Sequence, residues 1–118
     1  ESVRGGEKAR VVMINSQMGS LRDAYTGGNQ GKAGGSTCYR VSKAANNMIM
    51  RCLAIEHPEW IVVSQSPGWV DTQMGSSHGR KPPLSPAESV HFLLKNIARY
   101  NETDSGKFLD HTGSVLPF

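Results

Sequence analysis

The sequence predicts an α/β fold with a parallel sheet, built in the order strand, helix, strand, helix, strand. Three observations predict it. Two short apolar runs, RVVMIN at 10–15 and WIVVSQS at 60–66, are rich in β-branched residues, as strands buried on both faces are. Between them, CYRVSKAANNMIMR from Cys38 to Arg51 contains neither Gly nor Pro and reads as a helix. After the second run, Ser85-Pro86-Ala87-Glu88 is a capping box with Pro at the first helical position, which opens a second helix.

Taken in order, the first nine residues are polar and read as a connector. The strand Arg10 to Asn15 stops at Asn15-Ser16, followed by Gly19-Ser20. Ligands bind at the carboxyl ends of parallel strands, which places Ser16 at a functional edge. A Ser in such a place also commonly does no more than satisfy a backbone group in a turn. Residues 21–37 read as a Gly-rich loop (Gly27, Gly28, Gly31, Gly34, Gly35) of the active-site flap kind. The loop lacks a Lys-Ser/Thr ending and a strand-Gly-helix arrangement, so it is neither common type of phosphate-binding loop.

In the first helix Ala44, Ala45, Met48, Ile49, Cys52 and Leu53 form an apolar stripe, and the helix should end before Pro58. The second strand runs straight into Pro67-Gly68-Trp69-Val70-Asp71-Thr72, a sharp turn that lets a ligand approach the backbone. Residues 73–84, with Gly75, Gly79, Pro82 and Pro83, read as a mobile connector. Val90, Leu93, Leu94 and Ile97 give the second helix its amphipathic spacing, and Lys107-Phe108-Leu109-Asp110 is a short third strand. Right-handed crossovers would set the three strands side by side in sequence order.

Size and composition narrow the function. At 118 residues the chain is one domain at most. The net charge of +3 comes from scattered basic residues, which gives nucleic-acid binding little support. No apolar run approaches the roughly 20 residues that cross a bilayer, and the start ESVRGGEKAR has no signal-peptide pattern. The four histidines are too dispersed for a metal site. Cys38 and Cys52, on one helix, would lie about 21 Å apart at about 1.5 Å per residue, too far to bridge. Reduced thiols in a cytoplasmic setting are the natural reading.

Chemistry enters with Tyr39 and Lys43, four residues apart and therefore on one helix face. A phenol has a pKa of about 10 and exchanges protons poorly near neutrality; a cation held close favours the phenolate. On spacing alone such a pair is more often a solvated helix face than a catalytic couple. The other two tyrosines lack it, being followed four positions on by Asn29 and Asp104.

A Ser at the end of one strand, Tyr-x-x-x-Lys on the next helix and Pro-Gly after the next strand together resemble the short-chain dehydrogenases/reductases. INSQMGS (14–20), YRVSKAANNM (39–48), SPGWVDTQMG (66–75), LSPAES (84–89) and SGKFLD (105–110) are similar to the sniffer-type carbonyl reductase and C-factor-like subgroup. The resemblance implies the carboxy-terminal half of a Rossmann-type doubly wound parallel sheet, with residues 1–118 a single partial domain. It implies NAD(P)-dependent carbonyl reduction or alcohol oxidation, with NADP slightly preferred, on a small carbonyl or alcohol substrate. Tyr39 would be the general acid or base, Lys43 would bind the nicotinamide ribose, and Ser16 would hold the substrate oxygen. Tyr39, Lys43, Pro67, Gly68, Val70 and Thr72 would make up the cofactor-binding set. No metal, nucleic acid or membrane is implied.

The chain departs from the family pattern. Nothing corresponds to the Gly-rich dinucleotide fingerprint, and the family's catalytic Asn would precede residue 1; Asn15 is not a substitute. The Ser16–Tyr39 interval is long, and Asn46 stands where an apolar residue is usual. The isolated chain is therefore expected to be inactive. A non-catalytic fragment or scaffold that retains these residues by descent is the alternative. The extended, sugar-nucleotide branch is opposed by the Pro-Gly-x-Val-x-Thr turn. Association through the strand at 10–15, or another homo-oligomer, is a further expectation.

Overall fold

The sheet is organised on its middle strand. In the computed structural model, which describes residues 8–26 and 35–118 apart from the side chains of Tyr25, Thr26 and His78, Ile61–Gln65 (β2) is buried along its whole length. Arg10–Ile14 (β1) lies parallel on one side, in register from Arg10↔Ile61 to Ile14↔Gln65. Phe108–Leu109 (β3) lies parallel on the other, with Ser64↔Phe108 and Gln65↔Leu109. The order β1-β2-β3 is the one expected. Asn15 is outside the strand proper, yet its N–H still donates to the Gln65 carbonyl at 2.8 Å.

Among the described residues three α-helices accompany the sheet: Leu21–Thr26 (α1), Thr37–Glu56 (α2) and Pro86–Arg99 (α3). The expected loop at 21–37 is corrected at its start, since residues 21–26 are helical. The Ser20 hydroxyl accepts from the Asp23 N–H at 3.0 Å, a cap that the Gly count obscured. The predicted connector at 1–9 and the glycines at 27–34 lie mostly outside the described residues. The α3 capping box forms as expected: Ser85 Oγ accepts from the Glu88 N–H at 3.2 Å and Glu88 accepts from the Ser85 N–H at 2.8 Å.

Side chains alternate across a strand, so partners identify the faces. Ser64 bonds Asn47 of α2, whereas Ile61 and Val63 pack with Tyr100, Leu109 and Ile97 of α3. The helices therefore cover opposite faces of the sheet. Because β1 to β2 and β2 to β3 step the same way across it, the two crossovers have opposite hands. The expectation that both are right-handed fails for one of them, a rare arrangement. The long segment 66–85 gives the chain the reach to change faces.

The predicted apolar stripe of α2 is also corrected. Met48 (67% exposed), Ile49 (48%) and Cys52 face outward, and Asn47 and Met50 are the buried residues. On α3, Leu93 and Ile97 are half-buried as expected but Val90 and Leu94 are exposed, and Ser89 is the buried residue. Segment 73–84 is tied back to the turn before it: Val70 bridges Leu84, and the Asp71 N–H donates to the Leu84 carbonyl at 2.7 Å.

Candidate functional site

Parallel strands expose their carboxyl ends along one sheet edge, and the predicted residues collect there. Ser16 follows β1 and caps the 3-10 turn Gln17–Gly19, its Oγ accepting from the Met18 N–H at 3.2 Å. The bland role of a turn serine is thus real. It occupies only an acceptor lone pair, and the hydroxyl proton remains able to donate.

That turn packs on α2 at Lys43. A Cβ added to Gly19 would lie 2.7 Å from the Lys43 carbonyl carbon, so the residue must be Gly for the backbones to approach so closely. Tyr39 and Lys43, both half-buried, occupy the first and second turns of α2. The Lys43 ammonium lies 5.5 Å from the centre of the Tyr39 ring and 3.5 Å from the Ile14 carbonyl. The helix begins through Gly35 (φ 91°) and Ser36 (φ 52°), with no side-chain cap, and Arg40 Nε donates to the Gly35 carbonyl at 3.1 Å. The sequence-predicted pair is therefore held against the end of the strand that leads into Ser16.

Pro67 and Gly68 leave β2 at the same edge. The Ser89 hydroxyl of α3 donates to the Pro67 carbonyl at 2.8 Å and fixes the turn from below. Gly68 has φ 82°, and a Cβ there would meet Leu84 Cδ1 at 2.6 Å and His111 Nδ1 at 3.1 Å. Its glycine is required by internal packing as well as by backbone conformation. Val70 is half-buried and Thr72 exposed; the Thr72 hydroxyl accepts from the Gly75 N–H at 3.1 Å. A polar groove of about 270 Å³ lined by Asn96, Arg99, Tyr100 and Asp104 lies elsewhere, beside the end of α3. None of the predicted site residues lines it.

No protein-family model matches the chain. C-signal of Myxococcus xanthus is 38% identical over 118 residues, covering 98% of this chain and 65% of that protein. The short chain dehydrogenase gsfK of Penicillium aethiopicum is 34% identical over 126 residues, covering 98% of this chain and 48% of that protein. Among solved structures, the NADPH-bound carbonyl reductase from chicken fatty liver superposes with a TM-score of 0.80 and 37% identity, covering 93% of this chain and 43% of that one. Over nearly its whole length the chain is similar to short-chain dehydrogenases and carbonyl reductases. It spans roughly half the length of most of the proteins it matches.

Sequence reasoning missed three residues at this edge. Asn15, Asn47 and Ser64 form a buried polar cluster beneath the Lys43 turn, only 2%, 4% and 0% exposed. Asn47 lies four residues beyond Lys43, so the periodicity that paired Tyr39 with Lys43 reaches it too. Asn46, set apart in the sequence reading, is only half-buried. Among the described residues no group of His, Cys, Asp and Glu could hold a metal ion. No helix among them is long and apolar enough to cross a membrane.

Proposed function

We propose that the protein carrying this chain is an NAD(P)-dependent oxidoreductase that interconverts a small carbonyl compound and its alcohol. Residues 1–118 would supply the catalytic part as a single partial domain. One observation carries the reading: Lys43 lies one turn from Tyr39, its ammonium 5.5 Å from the ring, at the strand end that leads into Ser16. In this reading Tyr39 gives or takes the proton, Ser16 donates to the substrate oxygen, and Lys43 orients the pair. The likeness to a carbonyl reductase solved with NADPH supports NADP over NAD.

The donor set fits such a cofactor. An ammonium has three N–H donors, and the long contact of Lys43 to the Ile14 carbonyl leaves others for ribose hydroxyls. Tyr39, Lys43, Pro67, Gly68, Val70 and Thr72 would hold the nicotinamide end. When bound, the cofactor exchanges a hydride with the substrate carbon. The chain's own share is to fix the substrate oxygen between the Ser16 and Tyr39 hydroxyls and to move one proton at Tyr39 Oη. Exposed, unpaired Cys38 and Cys52 support a reducing, cytoplasmic setting.

Replacing Tyr39 by Phe in the native protein tests the assignment. Turnover should fall by about a hundredfold or more while cofactor binding survives, because only the proton-transfer group is lost. Lys43→Ala should damage both. Wild-type turnover by Tyr39→Phe is the result that overturns the reading. A non-catalytic scaffold that keeps these residues by descent is the second reading. Absence of turnover in the unmodified native protein would select it.

A further inference from the structure

Beneath the Lys43 turn lies a buried polar cluster between α2 and the sheet. The Asn15 amide nitrogen donates to the Lys43 carbonyl at 3.1 Å, to Asn47 Oδ1 at 2.6 Å and to Ser64 Oγ at 2.9 Å. Ser64 Oγ in turn donates to Asn47 Oδ1 at 2.8 Å. The polarity is fixed by the backbone. A group this close to the Lys43 carbonyl oxygen must be the NH2 end of Asn15, and the Asn47 atom facing that NH2 must then be its oxygen. Asn15 is the donor of the cluster and Asn47 its acceptor.

Buried amides are costly unless they are bonded. Packing alone does not call for one here, since an apolar residue would serve a helix-on-sheet contact. What this cluster adds is position. The Lys43 carbonyl sits in mid-helix and already accepts from the helix's own ladder, so the Asn15 bond is not needed to satisfy it. Asn15 immediately precedes Ser16, its N–H is held by the Gln65 carbonyl at 2.8 Å, and its side chain reaches α2. One residue thus joins the strand end, the helix turn and the middle strand. Gly19 brings the same Lys43 peptide to van der Waals distance from the other side.

We propose that Asn15 is a positioning residue, which sets the placement of Tyr39 and Lys43 relative to Ser16 by tethering the Lys43 turn through its buried amide. The proposal rests on the oxidoreductase reading above. It assigns Asn15 no contact with substrate or cofactor. Small displacements of a reacting constellation lower turnover more than they lower binding. The tether should therefore be visible in kcat and in the local opening of α2.

The test measures steady-state kinetics and amide hydrogen exchange on the native protein. Asn15→Ala should lower kcat by about tenfold or more with the KM for cofactor changed by less than about threefold. Exchange should quicken around Lys43–Asn47 and stay unchanged beyond Ile49. Asn15→Asp, isosteric but without the donor, should behave the same way. Asn47→Asp, which keeps both acceptor contacts, should retain most of the turnover. If Asn15→Ala does not fold, Asn15→Ser keeps a single donor and takes the same two measurements. Unaltered kcat, or exchange quickened equally along all of α2, would overturn the proposal and leave Asn15 a residue of general stability. A wild-type protein that reduces no carbonyl compound would instead end the oxidoreductase reading, and the exchange pattern would still decide whether the tether exists.

Discussion

Gly19 shows how little room the edge leaves. A methyl group there would press on the Lys43 backbone, which cannot rotate away as a side chain could. Gly19→Ala should destabilise by about 1–3 kcal/mol, as overpacking does, and a urea melt would register it. Tyr100 gives a pH signature. Burial, reinforced by Asp104 and Asp110, pushes its phenol from about 10 up to about 12. A raised pKa means that the folded state holds the proton more tightly than the unfolded chain does. Stability should thus be intact below pH 10 and decline between about 10 and 12, by roughly 2–3 kcal/mol in all. Tyr100→Phe should flatten that decline, since its ring remains and its ionisation is gone. That Ser16, Tyr39 and Lys43 share one edge was legible in the sequence because spacing and strand ends set their places. Asn15 and Asn47 were not. An amide carries no signal of burial, and its partners Ser64 and the Lys43 carbonyl become neighbours only after the sheet forms.

Among the elements, α3 was the most legible and α2 the least. The capping box of α3 is local in sequence and needs nothing from the tertiary fold. Ser85→Ala should cost about 1 kcal/mol, measured as a lower thermal midpoint, with the Pro67 turn weakened through Ser89. Helix α2 carries two candidate faces. The outward one holds Met48 (67% exposed), Ile49 (48%) and Cys52 of the predicted stripe; the inward one holds Tyr39, Lys43, Asn47 and Met50. Hydrophobic spacing selects the first, and the fold buries the second. The physical reason is the Lys43 contact itself. Placing Lys43 against the Ile14 carbonyl fixes the rotation of the helix, and Asn47 and then Met50, each a turn further on, meet the sheet. Apolar periodicity locates the core face of a helix only when the core alone sets that rotation.

At the scale of the whole molecule, strand order was legible and crossover hand was not, because the face that α3 takes depends on the path of 66–85. The sheet also ends on an apolar strand. Within β1 the N–H and C=O of odd-numbered residues turn toward β2, as the bonds of Ala9 and Asn15 to that strand require. Those of Val12 and Ile14 turn to the open side, where among the described residues only the Ile14 carbonyl has a partner, Lys43. Val11-Val12-Met13-Ile14 holds no charge, Pro or bulge of the kind that blunts an edge. Such a row pairs with any matching strand. A 118-residue chain prepared by itself should therefore associate through β1 rather than persist as a stable monomer. Sedimentation across a concentration series would show it, and the Val12 and Ile14 amides should gain exchange protection as association proceeds. Those two amides are decisive because the Val11 and Met13 amides, turned inward, should be protected at every concentration. A compact monomer at high concentration, with Val12 still exchanging freely, is the outcome this edge forbids.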